Sequence, residues 1–204
     1  SPTLTPNNIW GFFDVFGDNA SRLKTGKHRY KMLKTKLNLS NSISVMEIGP
    51  STGDFLSIMK SNGHKPSGCD VSFEFTKAAK NLYDLSIDHG CFEDLSYPND
   101  AFDLIAFFNV IENLPNPIEF LEEVKRVVSK DGTIVFNFVD MKNNWINKLQ
   151  GNRYFMWRPP ICYGYNKELI CGLLNRVGFD DVIFSVDIRF MTLEKVLTLL
   201  GWMK

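Results

Sequence analysis

The chain has 204 residues, 44% hydrophobic and 23% charged, the profile of a globular domain rather than a disordered segment. Its 23 basic and 23 acidic residues cancel, which argues against a dedicated nucleic-acid binder, and no apolar run reaches the roughly 20 residues of a membrane span. The four cysteines, Cys69, Cys91, Cys162 and Cys171, have neither zinc nor disulfide spacing, so a cytoplasmic protein with no metal site is expected. The neutral total conceals a segregation: residues 21–36 hold seven basic residues and no acid, and residues 81–124 hold ten acids and no Lys or Arg.

In chain order, residues 7–17 carry Trp10, Phe12, Phe13 and Phe16 and read as a short packed N-terminal element. Residues 19–38 read as a basic helix with Leu23, Tyr30, Leu33 and Leu37 on its apolar side. From residue 43 strands and helices alternate. Strands are predicted over 43–48, 65–71, 86–91 (weakly), 102–108 and 133–139, and helices over 55–61, 73–83 and 117–128. The run 102–108 is apolar throughout, as in a strand buried on both faces of a parallel sheet. Asn62-Gly63 and Asp131-Gly132 supply stops and turns. Residues 141–165 break the rhythm with eight aromatic or proline residues, including Trp145, Trp157, Pro159 and Tyr163. A helix over 167–176 follows, then a strand over 179–186 and an amphipathic helix over 192–200. The alternation predicts an α/β fold, a doubly wound Rossmann-like three-layer αβα sandwich with a mainly parallel sheet.

The first strand-turn-helix reads Val45-Met46-Glu47-Ile48-Gly49-Pro50-Ser51-Thr52-Gly53-Asp54-Phe55-Leu56. It stands past the carboxyl end of a strand, where open α/β sheets bind ligands. A dinucleotide fold wants G-x-G-x-x-G, with a pyrophosphate on the helix N-terminus. Here three residues separate Gly49 from Gly53, and Glu47 and Asp54 place negative charge where a phosphate would be repelled. An acidic loop suits a ligand with positive charge. Asp70 ends the second strand, placed to accept ribose hydroxyls. Alternatively, Asp70 or Ser72 caps the helix at Phe73.

Residues 45–139 resemble the class I S-adenosylmethionine (SAM)-dependent methyltransferases, most of all the small-molecule type 11 and type 23 group. The resemblance rests on four blocks in register: VMEIGPSTGDFL (45–56), GCDVS (68–72), FEDLSYPNDAFDLIAFFNVIEN (92–113) and EFLEEVKRVVSKDGTIVF (119–136). It implies that residues 47–53, among them Glu47, Gly49, Pro50, Ser51 and Gly53, wrap the methionine and ribose parts of SAM. Asp70 would take the ribose hydroxyls, with Val71 against adenine. The Phe92-Glu93 turn would reach the adenine edge, and Asn109 and Val110 would line the methyl-donor site. It also implies a division into residues 1–40 as a helical cap over the pocket and 41–204 as the SAM-binding domain, with 141–165 building the acceptor site. The chain departs from the family at Cys91, where many relatives carry an acid, and at Asn113, where they often carry a histidine.

Methyl transfer is an in-line displacement from an activated sulfonium, so positioning supplies much of the catalysis and a base is needed only if the acceptor must lose a proton. The histidines (His28, His64, His89) read as structural, and no catalytic residue is assigned. The expected reaction is methylation of a small-molecule acceptor, at oxygen in preference to nitrogen or carbon, by a monomer or homodimer. The basic helix reads first as a solvated face and otherwise as a site for a phosphate-bearing or sugar-linked acceptor. The aromatic insertion suggests an acceptor lid or an extension of the core. Two alternatives remain at this level: a non-catalytic SAM-binding partner protein, and an RNA methyltransferase, the latter disfavoured by the lack of an N/D-P-P-Y-type motif.

Overall fold

A computed structural model describes residues 18–39, 41–142 and 161–191. Five strands form one sheet: β1 (Ser44–Ile48), β2 (Lys65–Asp70), β3 (Asp88–His89), β4 (Phe102–Phe107) and β5 (Val128–Phe136). Their order is β3-β2-β1-β4-β5 and every pairing is parallel. The chain thus runs outward to one edge, crosses back at β4 and runs outward again. The reversal lies between β1 and β4, and in such sheets the crevice at their carboxyl ends is the ligand site.

The alternation of side chains along the central strands sorts the core into two layers. Met46, Ile105 and Phe107 point to one face, where Phe120, Leu121 and Val124 of helix α4 (Pro117–Val127) and Ile170 and Leu174 of α5 (Lys167–Val177) cover them. Val45, Leu104, Ala106 and Phe108 point to the other, under Phe55, Leu56 and Met59 of α2 (Asp54–Ser61) and Ala79 of α3 (Phe73–Tyr83). Helix α1 (Asn19–Lys36) joins this second layer through Leu33. Gly26 lets α1 approach closely: an added Cβ would lie 3.4 Å from the Asp54 carbonyl oxygen and from Phe55 Cα.

The helices and β1, β2 and β4 lie within a residue or two of their predicted bounds. Several local expectations are corrected. The third strand shrinks to two residues. The fifth strand begins at Val128 directly after α4; Phe102 pairs with Val128 and Leu104 with Thr133, so residues 129–132 bulge from the ladder. The side of α1 turned to the protein runs through Thr25, Gly26, Arg29 and Leu33, while Leu23, Tyr30 and Leu37 are half-buried. Helix–helix approach at Gly26 and polar pairing, rather than an apolar stripe, set its orientation. Residues 179–186 form no strand: Phe179 N–H goes back to the Leu174 carbonyl of α5 and Ser185 Oγ reaches Met32 Sδ of α1, instead of joining a ladder. The expectations for 7–17 and 192–200, and for most of the aromatic insertion, fall outside the described residues.

Candidate active site

At the carboxyl end of β1 the backbone turns through three left-handed residues, Gly49 (φ 69°), Ser51 (φ 53°) and Gly53 (φ 81°). A Cβ at Gly53 would stand 2.8 Å from Leu85 Cδ1, and one at Gly49 3.0 Å from Val110 Cγ2. Both positions therefore require glycine, for conformation and for space. Gly53 N–H donates to the Pro50 carbonyl (2.9 Å) and closes the turn, and Gly49 N–H is held by the Cys69 carbonyl of β2 (2.8 Å).

Asp70, ending β2, is buried beside this loop. Its carboxylate accepts from Ser51 N (3.0 Å) and Ser72 N (2.9 Å). Burial raises its pKa to about 6, opposed by these two amide bonds. Ser72, not Asp70, caps α3, accepting from Phe75 N. Asp70 is thus tied to the glycine loop, and its neighbour does the capping.

Glu47 is 4% exposed on β1. Burial pushes its pKa up to about 8, against the lowering influence of Arg29. Its Oε2 is buried without a hydrogen-bond partner, as is Ser51 Oγ. Buried polar atoms are almost always satisfied, so these two orphans, one near the end of β1 and one in the glycine loop that follows it, are what a polar ligand, bound there, would complete. The residues fit a cofactor with a cationic and a hydroxylated part. Glu47, Ser51 and Asp70 offer the acceptors, and the side-chain-free Gly49 and Gly53 offer the cradle.

Val71 (63% exposed) and Glu93 stand free at the β2 and β3 ends, as a flanking wall requires. Phe92 is different: its ring is buried against Phe120 and Tyr97, so Phe92 itself can offer only backbone atoms. Asp54, adjoining the loop, carries another load. Its carboxylate takes Arg22 Nε (2.8 Å), Thr52 Oγ1 (2.5 Å) and Tyr83 OH (2.7 Å), tying together α1, α2 and α3. These bonds give Asp54 a structural role as the junction of the three helices.

At the ends of β4 and β5 lies a polar cluster that the sequence reading did not assemble. Asn109, left-handed at φ 56°, donates its N–H to Asn137 Oδ1 (2.7 Å). Asn137 Nδ2 donates to Asp187 Oδ2 (2.9 Å), and Arg29 reaches Asp187 through Nε (3.1 Å) and a second nitrogen (2.6 Å). The Arg29 guanidinium also lies 3.8 Å from the Phe108 ring centroid. Burial works to raise the Asp187 pKa, but the bonds from Arg29 and Asn137 outweigh it and leave the carboxyl below its usual range. No sequence signal marks this pairing, because Arg29 and Asp187 are 158 residues apart.

Glu112 anchors the other side of the crevice. It is buried, which raises its pKa; its Oε1 accepts from Val139 N (3.1 Å), and its carbonyl accepts from Cys162 N and Tyr163 N. Tyr163 OH donates to the Pro115 carbonyl (3.0 Å). Residues 161–165 are thus stapled to the loop after β4. The histidines lie apart from this cluster. His64 is buried and accepts from Ile43 N, His89 contacts the Val71 carbonyl, and His28 packs on Phe190. Among the described residues no cluster of ligands could hold a metal ion.

Residues 21–183 match the family model described as a methyltransferase domain. An uncharacterised protein of Methanocaldococcus jannaschii is 36% identical over 114 residues, 53% of this chain and 43% of its own length. A second one from that organism is 31% identical over 161 residues, covering 74% of this chain and 71% of its own. The chain thus spans less than half of the first and about seven tenths of the second. Among solved structures, a Thermotoga maritima SAM-dependent methyltransferase, described as a possible histamine N-methyltransferase, superposes with a TM-score of 0.63 at 20% identity, covering 85% of this chain and 82% of that one. At that identity the likeness speaks for the fold.

Proposed function

The chain belongs to the methyltransferase-domain family, and from that premise we propose that it methylates an oxygen of a small-molecule acceptor with SAM as donor. The observation that carries this reading is the glycine loop with its unpartnered buried acceptors, Glu47 Oε2 and Ser51 Oγ. A bound SAM would supply a methyl group on an activated sulfonium. Glu47 would hold a cationic group of the donor, Asp70 its hydroxyls, and the backbone near Glu93 its base edge.

The preference for oxygen rests on Asp187. A carboxylate offers about four acceptor positions; three are occupied, two by Arg29 and one by Asn137. The remaining lone pair, on a group kept ionised beside Asn137, is available to a hydroxyl proton. A phosphate-bearing or sugar-linked alcohol is the first class to screen, since the basic helix α1 reaches this cluster through Arg29.

Two measurements test the reading. Isothermal titration should show saturable binding of SAM and of its demethylated product, and no heat at high micromolar concentration would overturn donor use. Incubation with methyl-labelled SAM and a panel of alcohols and amines should label alcohols. Label found only on amines would overturn the choice of oxygen.

A further inference from the structure

We propose that the solvent face of α1, together with residues 183–188, is a docking surface for an anionic lipid bilayer. The cations of α1 are sorted by direction. Arg22 and Arg29 turn inward and end on Asp54 and Asp187. Lys24, Lys27, Lys31 and Lys34 recur at spacings of three, four and three, which on a helix is one stripe. All four are exposed. Among the described residues none of them closes a salt bridge, and residues 21–36 contain no acid.

Beside this stripe runs the segment that ends in Phe190, antiparallel to the helix. Ser185 Oγ reaches Met32 Sδ (3.6 Å), and Phe190 N donates to Thr25 Oγ1 (3.0 Å). Lys24 Nζ sits 4.3 Å from the Phe190 ring centroid. Between helix and segment opens a groove of about 380 Å³ bordered by Lys31, Met32, Lys36 and Val186. Ile183 and Val186 are each 79% exposed and Ile188 47%. Asp187, the one acid between residues 183 and 190, is turned inward onto Arg29.

Single exposed aliphatics are ordinary. Three within six residues, beside a lysine stripe that closes no salt bridge, have the chemistry of an interfacial surface. Aliphatic side chains enter the acyl boundary while ammonium groups meet lipid phosphates. A nucleic-acid surface would instead turn arginines outward for bidentate phosphate contacts and expose aromatic platforms. Here the arginines of the helix are turned inward, and the most exposed apolar residues of the segment are aliphatic. The inference goes beyond the methyl-transfer reading and is measured without activity, so either can fail alone.

The test is sedimentation of the full chain with vesicles of phosphatidylcholine, alone or with added phosphatidylglycerol, at low and high salt. Partition onto the anionic vesicles should be about tenfold stronger or more and should fall with salt. The combined change Lys24→Glu, Lys27→Glu, Lys31→Glu and Lys34→Glu should lower it by about tenfold or more, with circular dichroism and the melting temperature reporting an intact fold. Val186→Ser with Ile183→Ser, which leaves every charge in place, should lower it several-fold. Equal partition onto neutral and anionic vesicles, undiminished binding by both variants, or displacement from vesicles by a single-stranded RNA overturns the proposal.

Discussion

Two buried carboxyls give the site its pH behaviour. Glu47, with its pKa raised to about 8 by burial, keeps its proton in the folded protein at pH values where the unfolded chain has lost it. The folded state then binds more protons, so its stability falls as pH rises from about 4.5 toward 8. Glu47→Gln should remove the part of that fall above pH 6, beyond the range in which Asp70, raised to about 6, titrates: at pH 8 the variant melts above the wild type, and below pH 5 the difference shrinks. Binding a cationic donor favours the ionised form, so SAM affinity of the wild type should rise between pH 6 and 8 with proton release. Titration calorimetry in buffers of different ionisation enthalpy reads that release directly. Asp70→Ala should weaken SAM binding at least tenfold, about 1.4 kcal/mol. It should also lower the melting temperature, because Ser51 and Ser72 lose their amide acceptor. Unchanged affinity with lowered stability would reduce Asp70 to a brace for the loop.

At the scale of elements, Asp54 is the joint between three helices. Replacing it with Ala leaves the Arg22 guanidinium and Tyr83 hydroxyl without their shared acceptor. The loss should be about 2–3 kcal/mol in urea unfolding, against about 1 kcal/mol for Tyr83→Phe. Equal losses would mean that the arginine contributes nothing. Asp54 also shows what one sequence can and cannot disclose. Its place in the loop was legible, and so was the β-α-β rhythm, because hydrophobic periodicity and glycine punctuation are local signals. Its partners were not, since Arg22 and Tyr83 lie 32 and 29 residues away. The lost strand at 179–186 fails for the same reason: Ile183, Phe184 and Val186 have the composition of a strand, but a ladder needs a neighbour. Ser185, from this segment, bonds to Met32 of α1 instead.

Across the described molecule, α1 and the last described segment are joined through an ion pair. Arg29 lies in the first described helix and Asp187 near the last described residue. Through Asn137 and Asn109 the pair is linked to the ends of β5 and β4. Asp187→Ala should leave the sheet intact while loosening residues 183–190. Hydrogen exchange should speed up at Phe190 N, which depends on α1, and remain slow in β1 and β4. Protection unchanged throughout would show that the apolar contacts of the segment suffice. The same pair has a consequence in time. A ribosome adding about 5–20 residues per second needs about 8–32 s to span the 158 positions separating the partners. Throughout that interval the sheet can assemble from its local β-α units while Arg29 waits without its carboxylate. The crevice at the ends of β4 and β5 is therefore completed later than the glycine loop after β1, and a nascent chain stalled before residue 187 would carry that loop while Arg29, Asn137 and Asn109 still lacked the carboxylate that joins them.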